Sequence, residues 1–244
     1  MESLLYIYLF LFGLIFGSFY NVVGIRLAHG ESIVHPRSHC PYCGHTLTAT
    51  ELIPVLSWIL QKGRCRQCKA SVSAQYPLFE FVTASLFTIS PLLTGWSKDL
   101  LCALFIVSFV VIVTISLLDS SCIPRQIVCF FGITGVIIRL WDPIIPWWDV
   151  WLGAIVGFLL YFLIAAFTKG RFYTYDAAYL AVIGLYVGMW GMLAILLIVL
   201  CLQLLSQLLN AMLRKKRKQA TPFILFVGIA ALLVFYLRPV FLHY

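Results

Sequence analysis

Charged residues are scarce in this chain: only 11% of its 244 residues are Asp, Glu, Lys or Arg, and the acidic residues number nine. An ordinary soluble domain carries about 25% charged residues. Hydrophobic residues make up 62% of the chain instead. A water-soluble fold of this size could not bury so much apolar surface, which excludes a soluble globular protein and indicates that lipid is the natural solvent.

The sequence also lacks an internal repeat, a low-complexity tract and a recognisable secretory signal. The first apolar stretch has no basic segment before it and no small-residue cleavage site after it, so we interpret it as a retained anchor. Transporters often carry repeats and polar groups at the middle of the bilayer. The absence of a repeat therefore argues against a small-ion or metal transporter.

Apolar segments of membrane-spanning length fill nearly all of the chain outside a polar stretch at residues 27–75. We predict an all-α polytopic membrane protein with about eight transmembrane helices and one cytoplasmic insertion after the first helix. The expected spans are residues 3–22, 76–95, 99–118, 123–141, 148–168, 176–189, 190–212 and 221–241.

The sixth span is short, and it is expected to be tilted, half-inserted or fused with the seventh; Gly188 and Gly191 predict a bend between the two. Three domains follow from this division: a first transmembrane helix (1–26), the insertion (27–75) and a membrane core (76–244).

The distribution of basic residues predicts the orientation. If residues 27–75 are cytoplasmic, all but three of the 17 Lys and Arg residues lie on the cytoplasmic side, as the positive-inside rule requires. The basic run at residues 214–218 is interpreted as a loop that touches anionic lipid, so the bilayer is an expected partner and nucleic acid is not. The residues left on the outer side are the bases Lys98, Arg139 and Arg238 and the acids Asp99, Asp142 and Asp149, the acids being expected as solvated loop residues.

Four cysteines in the insertion form two CxxC pairs separated by 21 residues. This spacing is typical of a zinc ribbon in which four thiolates hold one tetrahedral ion, and Gly44 suits the turn after the first pair. Four sulfurs complete the coordination shell, so the predicted Zn²⁺ is structural. The alternative is four free thiols in a loop. The expected ligands are Cys40, Cys43, Cys65 and Cys68.

Two acids are the candidates for catalysis. Asp119 ends one apolar run and Asp176 opens another, and both fall at cytoplasmic ends of predicted spans. Two carboxylates brought together share a proton, so that one activates a water molecule and the other donates to the carbonyl oxygen of an amide. The alternative for either residue is an interfacial helix cap. Glu80 is expected to pair with an Arg of the insertion or to shape a substrate groove, and His29, His35, His39 and His45 are interpreted as loop residues.

A dense set of short motifs falls within residues 17–83: residues 17–22 with Arg26, then 36–43, 51–54, 57–58, 62–68 and 73–83. Together they resemble the type IV prepilin peptidase family, in its competence and pseudopilus-processing branch. Residues 181–185 and 221–223 extend the resemblance.

The resemblance implies a bacterial cytoplasmic membrane enzyme whose active site faces the cytoplasm. Members of the family cut the basic leader from prepilin or pseudopilin precursors, and many then methylate the new N-terminal amine with S-adenosylmethionine. The family's two catalytic aspartates correspond to Asp119 and Asp176, which makes residues 76–244 an aspartic peptidase core.

Two departures from the family pattern surround these acids. The second aspartate usually follows a Gly-x-Gly motif and precedes a Lys, whereas here the stretch at residues 173–178 is Tyr-Thr-Tyr-Asp-Ala-Ala. The spacing from Asp119 to Ile123-Pro124 is also shorter than usual. The alternative interpretation is therefore a catalytically degenerate relative that binds pilin-like helices without cleaving them.

Overall fold

The computed structural model describes residues 2–141, 146–168, 174–212 and 223–241. All long elements of secondary structure in these ranges are α-helices, which confirms the predicted fold class, and a short 3-10 helix at Ala49–Leu52 lies in the insertion. The α-helices are α1 (Glu2–Ala28), α2 (Leu56–Leu60), α3 (Gln75–Thr94), α4 (Lys98–Ser120), α5 (Arg125–Trp141), α6 (Trp147–Thr168), α7 (Thr174–Met212) and α8 (Phe223–Phe241).

Four helices of the described chain are long and apolar enough to cross a bilayer: Ser3–Ala28, Gln75–Thr94, Lys98–Ser120 and Asp176–Leu205. Shorter apolar stretches lie in α6 and α8. An α-helix rises 1.5 Å per residue, so about 20 residues cross a hydrocarbon layer about 30 Å thick. The chain is a membrane protein with several spans.

The predicted sixth and seventh spans form one helix, α7, whose backbone leaves helical geometry at Gly188. Gly188 has φ 75° and ψ −179°, a conformation that a residue with a Cβ rarely adopts. Glycine at this position therefore permits the bend that the sequence predicts.

The structure divides into two compact units. The first consists of Met1–Leu92 and Val107–Pro124, and the second of Leu93–Ile106 and Arg125–Tyr244. The insertion and the C-terminal half of α4 belong to the first unit, and α5 to α8 belong to the second.

Contacts in the first unit place α1 antiparallel to α3. A Cβ at Gly17 would lie 2.7 Å from the Cα of Glu80, and the side-chain amide of Asn21 donates to the carbonyl of Tyr76. Small residues allow such close backbone approach between membrane helices. The insertion, which joins the end of α1 to the start of α3, therefore lies at one end of this unit.

The same helix α1 runs parallel to the second half of α4. The hydroxyls of Tyr20 and Ser108 lie 2.6 Å apart, and one turn further along α1 the Ser116 hydroxyl donates to the carbonyl of Gly24. Parallel packing brings the C-terminal ends of both helices together. The end of α4 that carries Asp119 is thus the end at which the insertion leaves α1.

Several sequence predictions lie outside the described residues. These are the basic run at residues 214–218, the loop bases Lys169 and Arg171, the loop acid Asp142, the Tyr173 that replaces a family glycine, and the motif that begins at Thr221.

Candidate functional site

The structure brings the four cysteines of the insertion together. Their sulfur atoms all lie within 4.8 Å of one another, and the Sγ atoms of Cys40 and Cys68 are 3.8 Å apart. Four thiolates at about 2.3 Å from a tetrahedral Zn²⁺ would be separated by about 3.8 Å. The cluster fits the predicted metal without large rearrangement.

The two knuckles have the same backbone design. In each, the amide of the first cysteine donates to a carbonyl five residues ahead: Cys40 to His45 and Cys65 to Ala70. The residue after the second cysteine has a left-handed φ in both, 70° at Gly44 and 61° at Lys69. Glycine suits that conformation, whereas Lys69 adopts it at a cost of about 1–2 kcal/mol.

Backbone donors prepare two of these sulfurs for metal binding. The amides of Cys43 and Tyr42 lower the pKa of the Cys40 thiol to about 7. The amides of Cys68 and Gln67 lower the pKa of the Cys65 thiol in the same way. Hydrogen bonds to the charged form favour the thiolate, which is the form that binds metal.

A buried carboxylate fastens the first knuckle to the 3-10 helix. Oε2 of Glu51 accepts hydrogen bonds from the amide of Thr48 at 3.0 Å and from its hydroxyl at 2.8 Å, and it lies 3.0 Å from Nε2 of His45. These contacts, the Thr48 amide first, lower the pKa of Glu51 to about 2. Glu51 is therefore ionised at neutral pH and stabilises the fold of the insertion.

Asp119 lies on the last turn of α4 in the first unit, and its side chain is paired with His29. Nε2 of His29 is 2.7 Å from Oδ2 of Asp119, and the side chains are 52% and 30% exposed. His29 follows α1 directly, so the parallel packing of α1 and α4 sets this distance. The sequence places His29 in a loop, and only the register between the two helices reveals its partner.

Asp176 lies on the first turn of α7 in the second unit. The hydroxyl of Tyr161, a buried residue of α6, donates to Oδ2 of Asp176 over 3.4 Å. Close packing of α6 on α7 holds the two side chains together, since a Cβ at Gly157 would collide with the carbonyl of Leu180. Tyr161 gave no functional signal in the sequence, where it is one aromatic residue in an apolar run.

Glu80 is buried on α3 and accepts the backbone N–H of Val55 with its Oε2 at 2.6 Å. Val55 precedes α2 and has a φ of 60°, which is unusual for a β-branched residue. This carboxylate thus bonds a backbone amide of the insertion and the side chain of Ser18, where the sequence suggested an Arg. This contact joins the insertion to the membrane helices.

One prediction about an outer loop charge is wrong. Asp149 was expected as a solvated loop acid, but it is buried at 6% exposure, and Arg139, expected on the same outer side, is buried at 7%. Asp149 Oδ1 accepts the amide of Met189, and Nε of Arg139 donates to the carbonyl of Leu185 at 3.2 Å. In an unbroken helix that amide would donate to that carbonyl, and the break at Gly188 separates them.

Comparison with known proteins identifies relatives over most of the chain. The family described as the Bacterial Peptidase A24 N-terminal domain matches residues 11–93, which comprise most of α1, the insertion and nearly all of α3. No solved structure matches the chain.

Individual relatives cover more of the sequence. A prepilin leader peptidase/N-methyltransferase of Bacillus subtilis (strain 168) is 42% identical over 180 residues, which are 74% of this chain and 73% of the relative. A prepilin leader peptidase/N-methyltransferase of Aeromonas salmonicida (strain A449) is 34% identical, and the alignment covers 79% of this chain and 76% of the relative. A type 4 prepilin-like proteins leader peptide-processing enzyme of Escherichia coli O78:H11 is 29% identical, and the alignment covers 94% of this chain and 93% of the relative.

Proposed function

This chain belongs to the prepilin leader peptidase/N-methyltransferase family, and we propose that it is a membrane aspartic endopeptidase that removes the leader from prepilin-like precursors. The proposed catalytic pair is Asp119 and Asp176. The observation that carries the assignment is that each acid lies at the end of a membrane-length helix, α4 or α7, with one carboxylate oxygen held by a hydrogen-bonding side chain.

The proposed reaction needs one ionised and one protonated carboxyl group. The ionised group removes a proton from water, which attacks the carbonyl carbon of the scissile amide, while the protonated group donates to the carbonyl oxygen. For this the carboxylates of Asp119 and Asp176 must approach to within about 3–6 Å, so that they share one proton or one water. His29 and Tyr161 each contact a single Oδ2 atom, and Oδ1 of each acid is the oxygen proposed to face substrate.

The topology supports a common membrane face for the two acids. Two helices, α5 and α6, separate the end of α4 from the start of α7. If both cross the bilayer, Asp119 and Asp176 lie on the same side. Asp119 is at the end of the first unit that carries the insertion, and the basic residues of the insertion favour the cytoplasm. We therefore propose that cleavage takes place at the cytoplasmic face.

The proposed substrate is a precursor with a basic leader followed by an apolar helix. The helix can enter the bilayer laterally beside the membrane helices, while the leader stays in the cytoplasm beside the insertion. The scissile bond then lies at the interface, at the level of the two acids. Competence pseudopilins are the proposed substrate branch, on the resemblance of residues 17–83.

The names of the relatives favour a second activity, methylation of the new N-terminal amine, which would use S-adenosylmethionine as methyl donor. We propose it as a separate activity and assign no residue to it. The structural Zn²⁺ proposed for Cys40, Cys43, Cys65 and Cys68 supplies no catalysis, because four sulfur ligands leave no open coordination position.

The test is proteolysis by the purified chain in detergent, with a prepilin-like peptide and mass spectrometry of the products. Wild type should release the leader, and Asp119→Asn and Asp176→Asn should each abolish release while still inserting in the membrane. Asp99→Asn, on the N-terminal turn of α4, is the matched control and should retain activity. If wild type binds the peptide without cutting it, the degenerate relative is the correct interpretation; if both Asn variants cut normally, the catalytic assignment is wrong.

A further inference from the structure

The four-cysteine insertion carries an exposed apolar patch that a solvated lobe would not need. Its members are between 41% and 72% exposed and follow one another closely along the 3-10 helix and α2. Contiguous exposed apolar side chains of this kind mark an interaction surface. The apolar patch consists of Leu52, Ile53, Leu56, Ile59 and Leu60.

The packing of α2 within the insertion determines which of its residues form the apolar patch. Leu56, Ile59 and Leu60 share a face of α2, since positions i, i+3 and i+4 are neighbours on a helix. Trp58 instead packs towards the second knuckle, where its indole N–H donates to the carbonyl of Val72 at 3.1 Å and its ring covers Gly63. The patch is therefore the surface that α2 presents away from the insertion's own packing.

A hydrogen bond sets the depth of the apolar patch relative to the membrane. The Val55 amide, between Ile53 and Leu56, donates to the carboxylate of Glu80 at 2.6 Å. Glu80 is the sixth residue of α3, so its Cα lies about 8 Å along a helix that is about 30 Å long. All of that length is needed to cross the hydrocarbon layer. Because helical side chains lean towards the N-terminus, the Glu80 carboxylate and the Val55 amide lie within about 8 Å of the boundary between hydrocarbon and headgroups.

The charges next to the apolar patch suit a lipid surface. Lys62 and Arg64 follow α2 immediately and both are exposed. Apolar side chains flanked by basic ones are typical of segments that lie in the interface of a membrane with anionic lipid. The same bases would repel the basic leader of the proposed substrate, which disfavours the substrate as the occupant of this surface.

We propose that the apolar patch inserts into the interface of an anionic bilayer and anchors the four-cysteine insertion against the membrane. The contact with Glu80 fixes the anchor at the correct depth, and the bases hold it by contact with lipid phosphates. This inference depends on α3 crossing the bilayer and is independent of which residues catalyse the proposed reaction.

The test uses the full chain in vesicles of phosphatidylcholine with a minority of phosphatidylglycerol. An environment-sensitive fluorescent amino acid replaces Ile59, or the exposed Thr46 of the first knuckle as the matched control. Lipid carrying a quencher at a shallow acyl position should quench the label at position 59 several-fold more than the label at 46, and aqueous iodide should do the reverse. Equal quenching by iodide at both positions would overturn the proposal.

Adding a prepilin-like peptide tests whether the apolar patch binds substrate instead of lipid. If the label at position 59 is exposed to iodide in vesicles and becomes protected only with the peptide, the surface binds substrate and the lipid anchor is wrong. A second variant, Leu56→Ser with Ile59→Ser and Leu60→Ser, changes only exposed side chains. In vesicles its insertion should be cut by protease several-fold faster than that of wild type, and an unchanged rate would contradict the proposal.

Discussion

Nε2 of His29 lies 2.7 Å from Oδ2 of Asp119, so the acid proposed to work at the membrane face is paired with an imidazole from the segment that leaves α1. The pair forms because α1 and α4 run parallel, and the Ser116–Gly24 hydrogen bond lies one turn before it. An N–H donor on one carboxylate oxygen orients the other oxygen. Within the proposed mechanism, His29 is a positioning residue for Asp119.

Replacing His29 tests this role. His29→Ala removes the donor and should lower kcat for leader cleavage by about 10- to 100-fold, which is the worth of one hydrogen bond to a charged group. His29→Gln keeps an N–H donor at a similar distance and should recover most of the activity. KM should change little in either variant, because the side chain orients a catalytic group and does not hold the substrate.

Steady-state kinetics of both variants beside Asp119→Asn separate the possible outcomes. An inactive Asp119→Asn with a fully active His29→Ala would refute the positioning role of His29, while the proposed peptidase activity would stand. Equal losses in the Ala and Gln variants would mean that the imidazole contributes something other than an oriented donor.

The cysteine cluster predicts one tightly bound zinc ion per chain. Cys43→Ser should remove it, since three thiolates and a hydroxyl bind Zn²⁺ less well than four thiolates. Cys201→Ser is the matched control, because Cys201 is exposed on α7 and lies outside the cluster. Metal analysis of the purified proteins is the measurement, and a wild type without zinc, or a Cys43→Ser variant that keeps it, would refute the site.

Much of this fold could be predicted from the sequence because its signals are local. Long apolar runs give the helices, the CxxC spacing gives the sulfur cluster, and Gly188 gives the bend in α7. The partners of isolated polar residues could not be predicted, since they depend on helix register. His29 beside Asp119, Tyr161 beside Asp176 and the Val55 amide beside Glu80 are all contacts of this second kind.

Glu51 gives the stability of the insertion a specific dependence on pH. Its pKa falls from 4.5 to about 2 in the fold, so its contribution is fully present above about pH 5 and is lost as the pH falls towards 2. Glu51→Gln should weaken the insertion at neutral pH, because the amide cannot accept from Thr48 and His45 as a carboxylate does. The rate of limited proteolysis within residues 27–75 measures the stability of the insertion. The difference in this rate between wild type and Glu51→Gln should become smaller as the pH falls below 5. A difference that is constant with pH would show that the charge of Glu51 is unimportant.

Asp149 illustrates why the burial of a charge near a predicted span end was misjudged. Its sequence position suggested a solvated loop, whereas Asp149 and Arg139 bond the two backbone groups that the break at Gly188 releases. An unpaired backbone group in a membrane helix is costly, so a helix break requires polar side chains from its neighbours. A charged residue inside or beside an apolar run is therefore better interpreted as a partner for a buried polar group than as a solvated loop residue.

This arrangement leads to a stability prediction with matched variants. Asp149→Asn keeps an oxygen that can accept the amide of Met189 and should be nearly neutral, whereas Asp149→Ala leaves that amide without its acceptor. Arg139→Ala likewise removes the donor from the carbonyls of Leu185 and Tyr186. Each Ala variant should lose about 1–3 kcal/mol, which corresponds to a fall of about 2–12 °C in Tm for a chain of this size.

Thermal unfolding in detergent measures these shifts in Tm. The rate of leader cleavage reports whether the substitutions also disturb Asp176 on the same helix. Because the break lies three turns from Asp176, the Ala variants should cleave at a normal rate well below their Tm and lose activity at lower temperature than wild type. Equal Tm values for Asp149→Asn and Asp149→Ala would mean that the Met189 amide does not need the carboxylate oxygen, and the bend in α7 would then have to be stabilised by helix packing alone.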